Sequence, residues 1–200
     1  EALKYFTEFW PSDNTDPIER LFIQWGFSQF FPSKTLCAHV TTWNKNTSVK
    51  FRTDVAMMGK LGFDIKMDDM SENDHNFCIE AVKNYNRLKP VILEGDLYRL
   101  VSPYSGNHTS SMYVGKDKNS AVLFTFDVHP RYAEKSLPVR LQGLEANRMY
   151  RVKEINMMPG NQSSLKCNGQ LFSGEFLMNV GLDAFTTNQL YSRVIEVTAE

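Results

Sequence analysis

Helix punctuation fills the first 94 residues of this 200-residue chain and stops near Asp96. That change limits the fold more than any other feature. Asp16-Pro17-Ile18-Glu19 combines an N-cap Asp, a proline at the first helical position and a Glu placed to close a capping box. Ile18, Leu21, Phe22 and Trp25 then form an apolar stripe, and Gly26 is a natural stop. Ser71, with Asp74 three residues on, opens a longer helix whose stripe is Phe77, Ala81, Tyr85 and Leu88; Lys89-Pro90 is expected to end or kink it. Between these lie strand-like runs. Tyr5 to Trp10 reads as a buried strand, followed by Leu36 to Thr41 and by Leu61 to Ile65. Thr42 to Asp54 reads as a polar loop and Val55 to Gly59 as a short helix. The order β-α-β-α-β-α predicts a parallel sheet with helices on one side. Three such units are fewer than the eight of a closed barrel, which takes about 250 residues.

The remainder alternates in steps of two. Leu97–Val101, Ser111–Val114, Ala121–Phe126, Pro138–Leu141, Met149–Val152 and Val194–Val197 are strand candidates. The second and third form a hairpin across Asp117-Lys118-Asn119. Turn residues recur every ten or so positions, the spacing of an antiparallel sandwich. The expected division is therefore an α/β part at 1–94 and an all-β part at 95–200.

Composition excludes several classes of function. Twenty-two Lys and Arg against 23 Asp and Glu give a net charge of −1, which offers no basic face to nucleic acid. No apolar run approaches the roughly 18 residues that span a bilayer. Cys37, Cys78 and Cys167 are odd in number and far apart, and read as free thiols rather than a zinc site or a disulfide framework.

The chemistry lies in one βα loop, Trp10-Pro11-Ser12-Asp13-Asn14-Thr15-Asp16-Pro17-Ile18-Glu19-Arg20. In α/β barrels such loops sit at the catalytic face. Asp16 is explained locally as a helix cap, worth about 1 kcal/mol over Ala. Asp13 has no such local duty. An Asx-turn and a functional carboxylate both remain open for it.

Residues 10–20 resemble the signature of glycoside hydrolase family 36, the α-galactosidases and raffinose-oligosaccharide enzymes. The similarity continues through Phe31–Val40, Val55–Phe63, Gly95–Pro103 and Ser173–Leu182, in order along nearly the whole chain. The resemblance implies a C-terminal part of a (β/α)8 TIM barrel, about three βα units, followed by an antiparallel β-sandwich domain. It implies that Asp13 is the general acid/base of a retaining mechanism. Asp16 and Arg20 would position the loop and touch the sugar. No metal and no other cofactor is implied. A retaining glycosidase needs two carboxyl groups about 5–5.5 Å apart. At that distance and an effective dielectric of ~20, their mutual repulsion of roughly 3 kcal/mol keeps one protonated near neutral pH.

The family nucleophile lies on an earlier strand, in a segment bearing lysine and tryptophan, and residues 1–9 do not match it. The expectation is a chain that begins near the sixth barrel strand, is inactive alone and has the N-terminal part of the same enzyme as its partner. Its substrate would be an α-galactoside oligosaccharide of the raffinose type. Transfer rather than hydrolysis is a variant of this reading. Open strand edges predict first strands that pair with another copy in a homo-oligomer, are disordered in part, or are shielded by an N-terminal segment. Two positions depart from the family pattern. Leu36-Cys37-Ala38 replaces a Gly-bearing run, and the loop Trp43-Asn44-Lys45-Asn46-Thr47-Ser48 lacks a His. Trp43 would stack on a sugar ring, and His39 is expected to be a satisfied histidine, either in the core or directly behind the site residues. The alternative reading is a non-catalytic module whose sandwich binds carbohydrate or stabilises an oligomer. The sequence does not choose between a cytoplasmic and a periplasmic compartment.

Overall fold

A computed structural model describes residues 2–43 and 46–200. The first part consists of α1 (Pro17–Phe27), β1 (Cys37–Thr41), α2 (Val49–Ala56), β2 (Lys60–Asp64) and α3 (Glu72–Glu94). Strands β1 and β2 are parallel, with Cys37 opposite Lys60 and His39 opposite Gly62. Phe9 adds a third parallel segment, bridged to Leu36. The second part holds β3 (Asp96–Val101), β4 (His108–Val114), β5 (Ser120–Asp127), β6 (Met149–Ile155), β7 (Leu171–Ser173), α4 (Gly174–Asn179) and β8 (Tyr191–Ala199). Its six strands form one antiparallel sheet in the order β3-β4-β5-β8-β6-β7. The architecture is part of a TIM barrel followed by a β-sandwich domain. The sandwich's second layer is mostly loop and includes the bridge Val139–Leu182 and α4.

Strand alternation assigns the two faces of the large sheet. Met112, Ala121, Leu123, Tyr150, Val152, Ile195 and Val197 pack under the loop layer with Leu141, Leu177 and Leu182. Tyr113, Val122, Phe124, Phe126 and Val194 face the other way, onto Phe51 and Val55 of α2 and Tyr85, Leu88 and Ile92 of α3. The sheet is thus buried on both sides, and one side is the joint between the two parts. Polar bonds stitch the same joint. The Tyr113 hydroxyl donates to Met58 O at 2.7 Å. The fully buried Asp54 carboxylate accepts from Lys50 Nζ at 2.5 Å, Asn156 Nδ2 at 2.5 Å and Ser192 Oγ at 2.7 Å.

Gly95 is the whole connection between α3 and β3. A Cβ there would lie 2.3 Å from Val91 O and 2.5 Å from Val114 O, so backbone approaches too closely for any side chain.

Several expectations are corrected. The Tyr5–Trp10 run is not a buried strand: a short 3-10 turn covers Ala2–Lys4, Tyr5 and Phe6 are exposed, and only Phe9 pairs. Half of the Thr42–Asp54 loop is helix α2, capped by Ser48 Oγ on Phe51 N–H. The helix expected at Val55–Gly59 is only its end and the turn after it. Helix α1 passes Gly26 and buries Arg20, Leu21 and Gln24 rather than the Ile18/Phe22/Trp25 line, because Gln24 Nε2 finds Val55 O at 3.0 Å. Helix α3 runs through Pro90 to Glu94. Pro138–Leu141 forms a bridge and no strand. The Ser71 cap and the Phe77/Ala81/Tyr85/Leu88 stripe are as expected. All three cysteines are free. Among the described residues no helix is long and apolar enough to cross a membrane.

Candidate active site

The loop between Phe9 and α1 sits beyond the C-terminal end of the first parallel segment. Its shape comes from its own short polar residues. Asn14 N–H donates to Ser12 Oγ at 3.1 Å, and Asp16 N–H donates to Asn14 Oδ1 at 2.9 Å. Ile18 N–H and Glu19 N–H donate to Asp16 Oδ1 at 2.9 and 3.1 Å, which makes Asp16 the N-cap and Pro17 the first helical residue. The return bond of the expected capping box is therefore made by Asn14, while Glu19 stays exposed.

Asp13 stands exposed at the loop crest. Trp10 Nε1–H donates to its Oδ1 at 3.0 Å. Arg20 lies beneath the loop at 4% exposure. Its Nη1 donates to Ser12 O and its Nη2 to Cys37 O, both at 3.2 Å, so one guanidinium ties the loop to β1. Burial lowers the pKa of Arg20 from its usual very high value. The guanidinium carbon is 5.3 Å from the Trp10 ring centroid. The His39 ring lies at 4.2 Å from the Trp10 ring with planes 36° apart.

On β1 and β2 the side chains of Cys37, His39 and Lys60, and the bare Cα of Gly62, share the face turned away from the helices. Lys60 Nζ pairs there with Glu8, and the Cys37 thiol approaches Glu8 Oε2 at 3.6 Å. The Lys60 ammonium holds the Glu8 carboxyl below the usual range. Burial first, and then the Glu8 charge, push the Cys37 thiol up. This face is polar, unlike the Val/Ile/Leu filling common in barrels.

The structure places Asp13 and the capping Asp16 in one loop, with Arg20 of α1 bonded to that loop from beneath. Trp43 is 70% exposed in the loop after β1, and among the described residues no hydrogen bond or ring contact joins it to Asp13. Asn44 and Lys45 of that loop lie outside the described residues. His39 is exposed and stacks on Trp10, so of its two expected placements the core one is excluded. Sequence reasoning did not connect His39 with Trp10, which are 29 positions apart; only the register of the parallel segments brings them together. No metal-holding cluster of His, Cys, Asp and Glu exists among the described residues.

Residues 1–95 match the family model described as melibiase, and residues 108–197 the one described as the glycosyl hydrolase family 36 C-terminal domain. α-Galactosidase 2 of Hypocrea jecorina is 33% identical over 200 residues, covering 97% of this chain and 25% of that protein. The crystal structure of the family 36 α-galactosidase AgaB from Geobacillus stearothermophilus superposes with a TM-score of 0.86 at 27% identity, over 100% of this chain and 26% of that one. A variant of AgaA from the same organism, in complex with raffinose, gives 0.86 at 26% identity over 100% and 27%. The chain spans about a quarter of the length of the curated relatives it matches. It belongs to glycoside hydrolase family 36, whose α-galactosidases it matches along their C-terminal portion.

Proposed function

We propose that these residues are the part of a retaining α-galactosidase that supplies the general acid/base, Asp13. The observation that carries the reading is the Asp13 carboxyl itself, exposed at the crest of a βα loop with one oxygen held by Trp10. In the first step, a nucleophilic carboxylate from outside these residues bonds to the anomeric carbon as the C–O bond to the leaving sugar breaks. Asp13 gives its proton to the departing oxygen. In the second step Asp13 takes a proton from water, the water oxygen bonds to the anomeric carbon, and the nucleophile is released as galactose leaves. The substrate is a terminal α-galactosyl unit of a raffinose-type oligosaccharide, as the raffinose held by the AgaA variant suggests.

Arg20 serves this site from below, by fixing the loop to β1. Asp16 fixes the loop to α1 and is close enough in sequence to present its second oxygen to a sugar hydroxyl. Exposed Trp43 offers a stacking face for a sugar beyond the cleaved bond. We put the division between catalytic barrel and sandwich at 94/95, a reading supported by the end of α3 at Glu94 and the start of β3 at Asp96.

The test is Asp13→Asn in the full-length enzyme. Turnover of raffinose should fall about 10²–10⁴-fold, as for loss of a proton-transfer group, with thermal stability unchanged because the side chain is exposed. Activity within a few-fold of the parent would remove Asp13 from the role. Unchanged activity together with galacto-oligosaccharide binding by residues 1–200 alone, read by calorimetry at millimolar sugar, would instead support a binding module.

A further inference from the structure

An acid/base carboxyl must be held in position to act, since misplacement by about 1 Å can cost a hundredfold in rate. Asp13 is exposed on a loop, and its own backbone does not fix its side chain. We infer that Trp10 and His39 are positioning residues for the Asp13 carboxyl, an assignment that rests on the acid/base role proposed above.

A line of contacts crosses the three parallel segments. Trp10 Nε1–H donates to Asp13 Oδ1 at 3.0 Å, which sets the carboxyl rotamer and leaves Oδ2 for the travelling proton. The indole is itself held. The His39 ring packs against it at 4.2 Å, and the Arg20 guanidinium lies 5.3 Å from its centroid. His39 rests in turn on the bare Cα of its register partner, Gly62. A Cβ at Gly62 would fall 2.4 Å from His39 Cδ2 and 2.9 Å from its Nε2. The ring therefore occupies the space that any other residue at 62 would claim. Strand β2 places Gly62, β1 places His39 on it, His39 places Trp10, and Trp10 aims the acid.

A residue that acts only through the acid affects only steps that need the acid. Departure of a sugar alcohol needs protonation; departure of a dinitrophenolate does not. The experiment measures kcat/KM of the full-length enzyme for raffinose and for 2,4-dinitrophenyl α-galactoside, which reports bond cleavage in both cases. Trp10→Phe keeps the stacked ring and removes the donor. It should lower the raffinose value about 10–100-fold and leave the aryl value within about threefold. His39→Ala and Gly62→Ala should show the same selective loss to a smaller degree, and His39→Phe should restore it. An equal loss on both substrates, or no loss on either, across Trp10→Phe and Gly62→Ala overturns the positioning role. Asp13→Ala run alongside separates the two readings. If it too fails to discriminate between the substrates, the acid assignment is at fault; if it discriminates and the Trp10 and Gly62 variants do not, only the positioning role falls.

Discussion

On β5, Val122, Phe124 and Phe126 lie against α2 and α3, while Ala121 and Leu123 lie under the loop layer. On β1, Ala38 and Val40 are buried against the helices, but His39 between them is exposed. The two sheets differ in what their second face is for. Where both faces carry apolar side chains, burial worth about 25 cal/mol per Å² makes the strand a source of stability. Where one face carries Glu8, Cys37, His39 and Lys60, the same backbone displays groups able to pair, stack and exchange protons. Stability and chemistry are thereby separated within one chain, and the joint between the parts is built by the stable one.

The contrast can be broken most forcefully at the core. Phe124→Ala should destabilise residues 1–200 by about 3–5 kcal/mol in urea unfolding, whereas Phe6→Ala, on an exposed ring, should stay within about 0.5 kcal/mol. A comparable cost at both sites would erase the distinction. Next is the joint. Asp54→Ala leaves the Lys50 ammonium, 12% exposed, without its partner and should cost about 3 kcal/mol. All three tryptophans, Trp10, Trp25 and Trp43, belong to the first part. Fluorescence therefore follows that part, while far-ultraviolet circular dichroism follows both. The two transitions should coincide in the parent and separate in Asp54→Ala; coincidence in both would mean that the joint does not depend on this carboxylate.

Smaller effects sharpen the picture within the first part. The Tyr85 hydroxyl donates to Gly59 O at 2.8 Å and accepts from Leu61 N–H at 3.3 Å, fixing the turn into β2. Tyr85→Phe should cost about 1–2 kcal/mol; no measurable change would mean that the turn holds without it. The least effect concerns Cys78. Burial, and after it the Asp74 carboxylate, push its thiol up to about 11. The folded chain therefore holds this proton more tightly than the unfolded one. That contribution is complete below about pH 8.5, the unfolded thiol value, and is lost as pH rises towards 11. Stability should fall over that window and fall less in Cys78→Ala. Iodoacetamide at pH 8 should label Cys78 slowly compared with a free thiol.

The antiparallel half was readable because its signal is local: Val122, Phe124 and Phe126 lie two apart on one face of β5, and Ala121/Leu123, Met112/Val114 and Ile195/Val197 lie two apart on the other face of the sheet. The helix start at Asp16 was readable for the same reason, since Ser12, Asn14 and Asp16 bond within a few residues of themselves; the role proposed for Asp13 came from the family resemblance alone. What escaped depends on tertiary contact. Val49-Lys50-Phe51-Arg52-Thr53-Asp54 looks like polar loop, yet Phe51, Thr53 and Asp54 are fully buried and make it helix α2. Tyr5-Phe6 looks buried because it is aromatic, but nothing pairs with it as Leu36 pairs with Phe9. Pro90 looks like a helix stop. Its missing N–H deprives only the carbonyl of Asn86, an exposed residue, and Leu88 and Ile92 keep α3 packed on either side. The line from Gly62 to Asp13 joins residues 49 positions apart, and only strand register reveals it.

Gly95 gives the architecture a consequence for domain exchange. A domain that travels between genes as a cassette needs a tether that tolerates cutting and lengthening. Here the handover is a single residue whose backbone is wedged between Val91 O and Val114 O. Residues spliced in at that seam would bring side chains where none fit, so a linker engineered there should disturb both parts, and a protease seeking a hinge between them would meet helix on one side and sheet on the other.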